Sequence, residues 1–180
     1  MSTLVIHPTD KSTDFLSPIY QDAINPKIVT GGWGMEQIIS GIKRYDRTLM
    51  MGHGCPNGLF SINQFRSGLY AIGSWCVDTL KQKNESVYIW CNADKFVERY
   101  NLSGFYTGMF ISEVSEANFC GLSDITQDMV DESNDTFAVL LGQYINEPKG
   151  TMFKKIRASY GELIKENPVA HYNWKRLYVA

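Results

Sequence analysis

Two short runs that read as buried strands, each stopping at a reactive side chain, constrain this chain more than any other feature. Thr48-Leu49-Met50-Met51 is an apolar run that breaks at Gly52-His53-Gly54. Ser86-Val87-Tyr88-Ile89-Trp90 is rich in β-branched and aromatic residues and delivers Cys91 before Asn92-Ala93-Asp94 turns away. The roughly 30 residues between them leave room for a helix, the length that returns a chain as a parallel neighbour in the same sheet. Neighbouring strands would bring His53 and Cys91 together at one sheet edge, where the loops beyond the carboxyl ends form the crevice of an open α/β sheet. A thiol is nucleophilic as its thiolate, and imidazole is the base whose charge changes near neutral pH, so the pair is a candidate cysteine-nucleophile dyad. The N–H groups of Gly54 and Cys91 are candidates for holding an oxyanion.

The rest of the sequence fits one ordinary globular domain of 180 residues. Hydrophobic residues make up 44% and charged ones 20%, which is too apolar for a disordered chain. With 17 basic against 19 acidic residues the net charge is −2, so electrostatics give no reason to expect nucleic acid as a partner. No apolar run approaches the length of a spanning helix, and no membrane partner is expected. The opening Met1 to Ile6 lacks the basic start and small-residue cleavage site of a secretory signal and reads as the first strand. Cys55, Cys76, Cys91 and Cys120 form no Cys-x-x-Cys pair, which argues against a zinc ribbon or a thioredoxin-type motif. Their small number points to a reducing cytoplasm, although an even count still permits disulfides.

Taken in order, Leu4-Val5-Ile6 is a strand, the polar stretch from Thr9 to Asp14 has helix-capping character, and Phe15 to Ala23 forms a short helix. Lys27 to Thr30 is extended, and Gly31-Gly32-Trp33-Gly34 is a tight turn that lacks the P-loop spacing. Met35 to Tyr45 places Met35, Ile38, Ile39 and Ile42 on one face of an amphipathic helix, completing a βαβ unit with the Leu49 strand. Leu59 to Ile62 is a small strand or flap, with Phe60 and Phe65 able to line a groove or fill the core. Tyr70 to Lys81 is spaced like the crossover helix, with Cys76 a buried small hydrophobe. Asp94 to Gly104 reads as a loop and short helix, and Gly108 to Val114 as the next strand. Ile125 to Ile145 and Met152 to Lys165 are helical, the acids from Asp128 to Asp135 forming a solvated face and Asn167-Pro168 closing the second helix. Val169 to Val179 alternates and reads as a final strand or extended tail carrying His171.

A hydrophobic strand ending in Gly52-His53-Gly54, a helix, and a hydrophobic strand ending in Cys91 together resemble the caspase-like cysteine peptidases, the group of caspases, metacaspases, gingipains, separase and CHAT proteins. The similarity covers Thr3 to Ile145 as an order of elements. It implies a single three-layer α/β domain over residues 1–180, with a central, mainly parallel sheet and helices on both faces. It also implies that His53 and Cys91 are the catalytic pair of a thiol protease, a hydrolase needing no cofactor and no metal. Such a protein takes a peptide or protein substrate. Small microbial and viral relatives suggest an effector of a defence or cell-death system that responds to an activating protein or small-molecule signal.

In that family the loop after the first strand helps build the pocket for the residue preceding the cleaved bond. Asp10 and Asp14 are therefore candidates for pairing with a basic side chain, and helix capping is the competing role for one of them. Glu113 and Glu116 are the alternative source of basic specificity, against a solvated or capping role. Lys95 or Arg99 would be the position cut if the segment after Cys91 is autoprocessed. Two rivals remain: a catalytically inactive caspase-like domain that binds a peptide or partner protein, and a nucleotide-signal or hydrolase protein of another class using the Gly31 to Gly34 loop.

Overall fold

The computed structural model describes all of residues 1–180. In chain order the elements are β1 (Thr3–Ile6), a 3-10 helix (Lys11–Tyr20), β2 (Pro26–Val29), α1 (Met35–Arg44), β3 (Arg47–Met51), β4 (Gly54–Cys55), β5 (Gly58–Phe60), β6 (Tyr70–Ile72) and α2 (Val77–Leu80). There follow β7 (Ser86–Ile89), α3 (Ala93–Tyr100), β8 (Gly104–Thr107), α4 (Val114–Phe119), α5 (Gln127–Tyr144), α6 (Lys149–Tyr160), α7 (Pro168–Trp174) and β9 (Leu177–Val179). Six strands form one sheet in the order β2-β1-β3-β7-β8-β9, parallel except for β9, while β4-β5-β6 make a separate antiparallel sheet. No helix is long and apolar enough to cross a membrane.

The pleat divides the core in two. Leu4, Ile6, Met50 and Tyr88 face α1, α2 and α3 through Ile38, Ile42, Leu80 and Phe96. Their chain neighbours Val5, Leu49, Met51 and Val87 face the 3-10 helix, α5 and α6 through Leu16, Phe137 and Ile156. Strands buried on both faces explain why the runs around Leu49 and Val87 are continuously apolar rather than alternating. Helices therefore cover both faces of the sheet. From β1 the chain moves outward to β2 and then returns across β1 to β3, so the order reverses between β1 and β3. The loops leaving those two strands diverge and open a crevice at their carboxyl ends.

Arg47 ties the sheet to the turn between α5 and α6. Only 2% exposed at the start of β3, its guanidinium donates to the carbonyls of Ile145 and Glu147 and to Glu85 Oε2. Glu85 accepts in turn from the Lys149 N–H at 2.7 Å, so one buried cation joins β3, the approach to β7 and the α5–α6 turn.

Four local expectations are corrected. The segment from Lys11 to Tyr20 is a 3-10 helix that starts earlier than Phe15, capped by Asp10, with Pro18 inside it supplying no N–H. Tyr70–Ile72 belongs to the small sheet, and the crossover helix begins only at Val77 after Gly73 and a 3-10 turn. The strand after Cys91 is Gly104–Thr107, not Gly108 to Val114; Phe110 and Ile111 are apolar because they sit in the core as loop residues. Asn167-Pro168 opens a helix rather than closing one: Asn167 Oδ1 accepts from the N–H groups of Val169 and Ala170, and only Leu177–Val179 is strand.

His7, just beyond β1, is fully buried, with Nδ1 3.4 Å from the Tyr20 hydroxyl and Nε2 without a partner. Burial lowers its pKa from 6.5 to about 4, opposed in part by Asp14. The unfolded chain thus takes up a proton that the folded one refuses, and stability falls as pH drops through that window by at most about 1.4 kcal/mol per pH unit. Urea melts at pH 7 and pH 4.5 are expected to show this loss in the wild type and a smaller one in His7→Asn. Hydrogen bonds from Ser12 and from Ser2 lower the pKa values of Asp10 and Asp46 from the ordinary 3.8, so the stability these two add is present above that value and is lost as pH falls below it.

Candidate active site

The parallel ladder sets the site. Met51 and Ile89 are partners in the β3–β7 register, and the Gly52 N–H donates to Ile89 O at 3.0 Å. His53 and Cys91 each follow two residues later, leaving adjacent strands at the same level. Gly52 has φ +139, a conformation that L side chains rarely adopt, and it turns the chain out of the sheet. Gly54 must lack a Cβ because one would meet Trp90 Cδ1 at 2.3 Å. On the other strand Asn92 is left-handed at φ 64, which bends the chain away directly after Cys91.

Both side chains line one narrow cavity of about 30 Å³ closed by Thr13, Phe15, Leu16, Phe110 and Ser112. His53 Nε2 is 2.7 Å from Ser12 Oγ and 3.6 Å from Asp10 Oδ1. Cys91 Sγ lies 3.7 Å from Phe110 O and 3.9 Å from Glu116 Oε1. The hydrogen bonds of the two groups therefore run to different partners, and neither is made to the other. Burial first, and the Glu116 carboxylate second, push the Cys91 thiol up to about 12, so in this arrangement the sulfur carries its proton.

The two N–H groups at the sites expected for an oxyanion hole are free of the local ladders. Phe60 N–H donates to His53 O, which makes Gly54 and Leu59 a non-hydrogen-bonded pair, so the Gly54 N–H points out of the β4–β5 ladder. The Cys91 N–H makes no hydrogen bond to the backbone, while its neighbour Asn92 N–H donates to Gly108 O.

The four candidate acids separate. Asp10 and Glu113 line a second, larger cavity of about 650 Å³ that shares Phe15 and Ser112 with the first. Asp14 is exposed and does not line it, and Glu116 turns inward, accepting from the Ser112 N–H at 2.7 Å and hydroxyl at 2.9 Å. The larger cavity also contains Asp131, Asn134 and Asp135 of α5, with Lys11 its one cation. Asn134, 3% exposed, donates through Nδ2 to Ser112 O and leaves Oδ1 without a partner. The run of acids on α5 is thus only partly a solvated face. The signal that marks it is the i, i+4 spacing of Asp131 and Asp135, which puts both on one side of the helix. Ser12 was legible only as a loop residue.

The other reactive side chains lie elsewhere. Cys55 sits in β4 with Sγ 3.6 Å from the Tyr70 hydroxyl, and Cys76 is buried, donating to Gly73 O. His171 is exposed on α7. No group of three or more His, Cys, Asp or Glu side chains is arranged to hold a metal ion.

No family model matches this chain, and neither a curated protein nor a solved structure is significantly similar to it.

Glu116 is the carboxylate facing the sulfur, and removing its charge lowers the cost of forming a thiolate. Glu116→Gln is expected to speed alkylation of Cys91 by iodoacetamide at pH 8, about tenfold for each unit by which the thiol pKa falls. An unchanged or slower rate, read by mass spectrometry of the Cys91 peptide, would contradict this electrostatic account.

Proposed function

We propose that this chain is a cysteine endopeptidase with a three-layer, caspase-like arrangement, using His53 and Cys91 as its catalytic pair. The single observation carrying the reading is that both side chains leave adjacent parallel strands at one level and line the same cavity. His53 follows the third strand of the main sheet and Cys91 the fourth, the positions at which caspase-like peptidases carry their dyad.

In the proposed reaction the sulfur attacks the scissile carbonyl while His53 takes the thiol proton. The N–H groups of Gly54 and Cys91 hold the oxyanion, a contribution of about 3 kcal/mol for each donor in comparable sites. His53 then protonates the departing amine and afterwards activates water to release the acyl group from sulfur. The residue preceding the cleaved bond is Arg or Lys, whose cation is received by Asp10, Glu113, Asp131 and Asp135, with Asn134 Oδ1 as a further acceptor. By the same resemblance the protein is an effector of a microbial or viral defence or cell-death system, held in check until an activating protein or small-molecule signal arrives.

One observation favours a second reading. The Cys91 thiol lies 3.9 Å from a Glu116 oxygen and makes no hydrogen bond to His53, which suits a domain that binds a peptide in its crevice without cutting it.

Incubation with a mixed peptide library, followed by mass spectrometry of new termini, separates the two. The peptidase reading expects cleavage after Arg or Lys, its loss in Cys91→Ala, a fall of about 10²- to 10⁴-fold in His53→Ala, and weaker basic preference in Asp131→Asn/Asp135→Asn. No new termini, with no His53-dependent labelling of Cys91 by a thiol-directed peptide probe, leaves the binding reading in its place.

A further inference from the structure

We propose that Ser12 and Asp10 position the His53 imidazole and fix the tautomer in which Nε2 carries the proton and Nδ1 is the free base. The inference deepens the peptidase reading of the same pair and rests on it.

It follows from counting hydrogens. Asp10 Oδ1 lies 3.0 Å from the Ser12 N–H nitrogen and 2.5 Å from Ser12 Oγ. These contacts hold the Asp10 carboxyl below its ordinary range, so it is ionised and can only accept. A hydroxyl has one hydrogen, and that hydrogen goes to Asp10. The remaining contact, Ser12 Oγ to His53 Nε2 at 2.7 Å, is then made by an Nε2–H donating to the oxygen. A neutral imidazole has one N–H, so Nδ1 keeps its lone pair.

Capping alone does not account for this arrangement. The 3-10 helix is capped by the Ser12 N–H bond to Asp10, and the hydroxyl bond to the imidazole adds nothing to the cap. Its position does matter for chemistry, because Asp10 and Ser12 come from the loop after β1 and His53 from the loop after β3, the two loops that diverge at the reversal of strand order. When Cys91 attacks, the S–H bond breaks and its electron pair forms the bond to the carbonyl carbon. The carbonyl π pair moves to oxygen, and the proton goes to Nδ1. The imidazolium so formed has the Asp10 carboxylate 3.6 Å from its Nε2. Neither Ser12 nor Asp10 touches a reacting atom: Ser12 is a positioning residue, and Asp10, which also lines the cavity for the substrate's cation, acts on the imidazole through Ser12.

The test is long-range ¹H–¹⁵N NMR of the three histidines, with His7→Asn and His171→Asn used for assignment, alongside labelling of Cys91 by a thiol-directed peptide probe. In the wild type the His53 pattern is expected to be that of the Nε2–H tautomer. Ser12→Ala keeps the cap through its N–H, and it is expected to give mixed tautomers with a labelling rate lower by about tenfold or more. Asp10→Asn is expected to do the same, and Ser12→Thr, which keeps the hydroxyl, to restore both readouts. A wild-type Nδ1–H tautomer, or a Ser12→Ala variant that matches the wild type in tautomer and labelling, overturns the proposal. The tautomer is read without turnover. A wild type with the Nε2–H pattern but no labelling of Cys91 therefore defeats the peptidase reading, and with it the positioning role, in a way distinguishable from failure of the hydrogen-bond chain.

Discussion

The site depends on the pairing of β3 with β7. Three register pairs, Leu49 with Val87, Met50 with Tyr88 and Met51 with Ile89, make two segments far apart in the chain end at one height. A slip of one strand by one residue would send either Met50 or Tyr88, whichever strand moved, to the opposite core and move His53 relative to Cys91 by about 3.3 Å. Both cores oppose such a slip, because every side chain of the two strands is buried on one face or the other. The geometry of the reactive pair is thus a consequence of apolar packing on the two faces of the sheet, with no contact between the pair needed to hold it.

Around that pair the structure holds each partner from a different side. The segment after β1 reaches His53 through Asp10 and, at the start of the 3-10 helix, Ser12, while the segment after β8 reaches Cys91 through Phe110 O and, in α4, Glu116. Ser112 belongs to both walls, lining the two cavities and donating twice to Glu116, so the acid beside the sulfur and the acid-lined cavity share a hinge of contacts. Charge in this region has two consequences. Asp10, Glu113, Asp131 and Asp135 make the larger cavity acidic, and Glu116 together with burial keeps the resting thiol protonated.

Strand ends and their reactive residues were legible because a strand buried on both faces leaves a continuous apolar signature, and a Gly-flanked histidine or a strand-terminal cysteine is local information. The misread segments are those where apolarity has more than one cause. Phe110 and Ile111 look like strand residues, yet they are apolar because loops also enter the core. Asn167-Pro168 is an N-terminal helix signal of Asn cap and Pro at the first turn, and reading it as a terminator inverted the element that follows. Ser12 and Asn134 carry no signature at all: their roles come from His53 at a separation of 41 residues and Ser112 at 22, which only the folded topology brings together.

Positions 53 and 91 leave adjacent strands at one level, and a cross-link tests that placement without reference to any activity. Neighbouring strands lie about 4.8 Å apart, within the span that a disulfide bridges. Mild oxidation of His53→Cys, followed by proteolysis and mass spectrometry, should yield a peptide pair joined between position 53 and Cys91. Cys91 left free, or joined instead to Cys55, Cys76 or Cys120, would contradict the account.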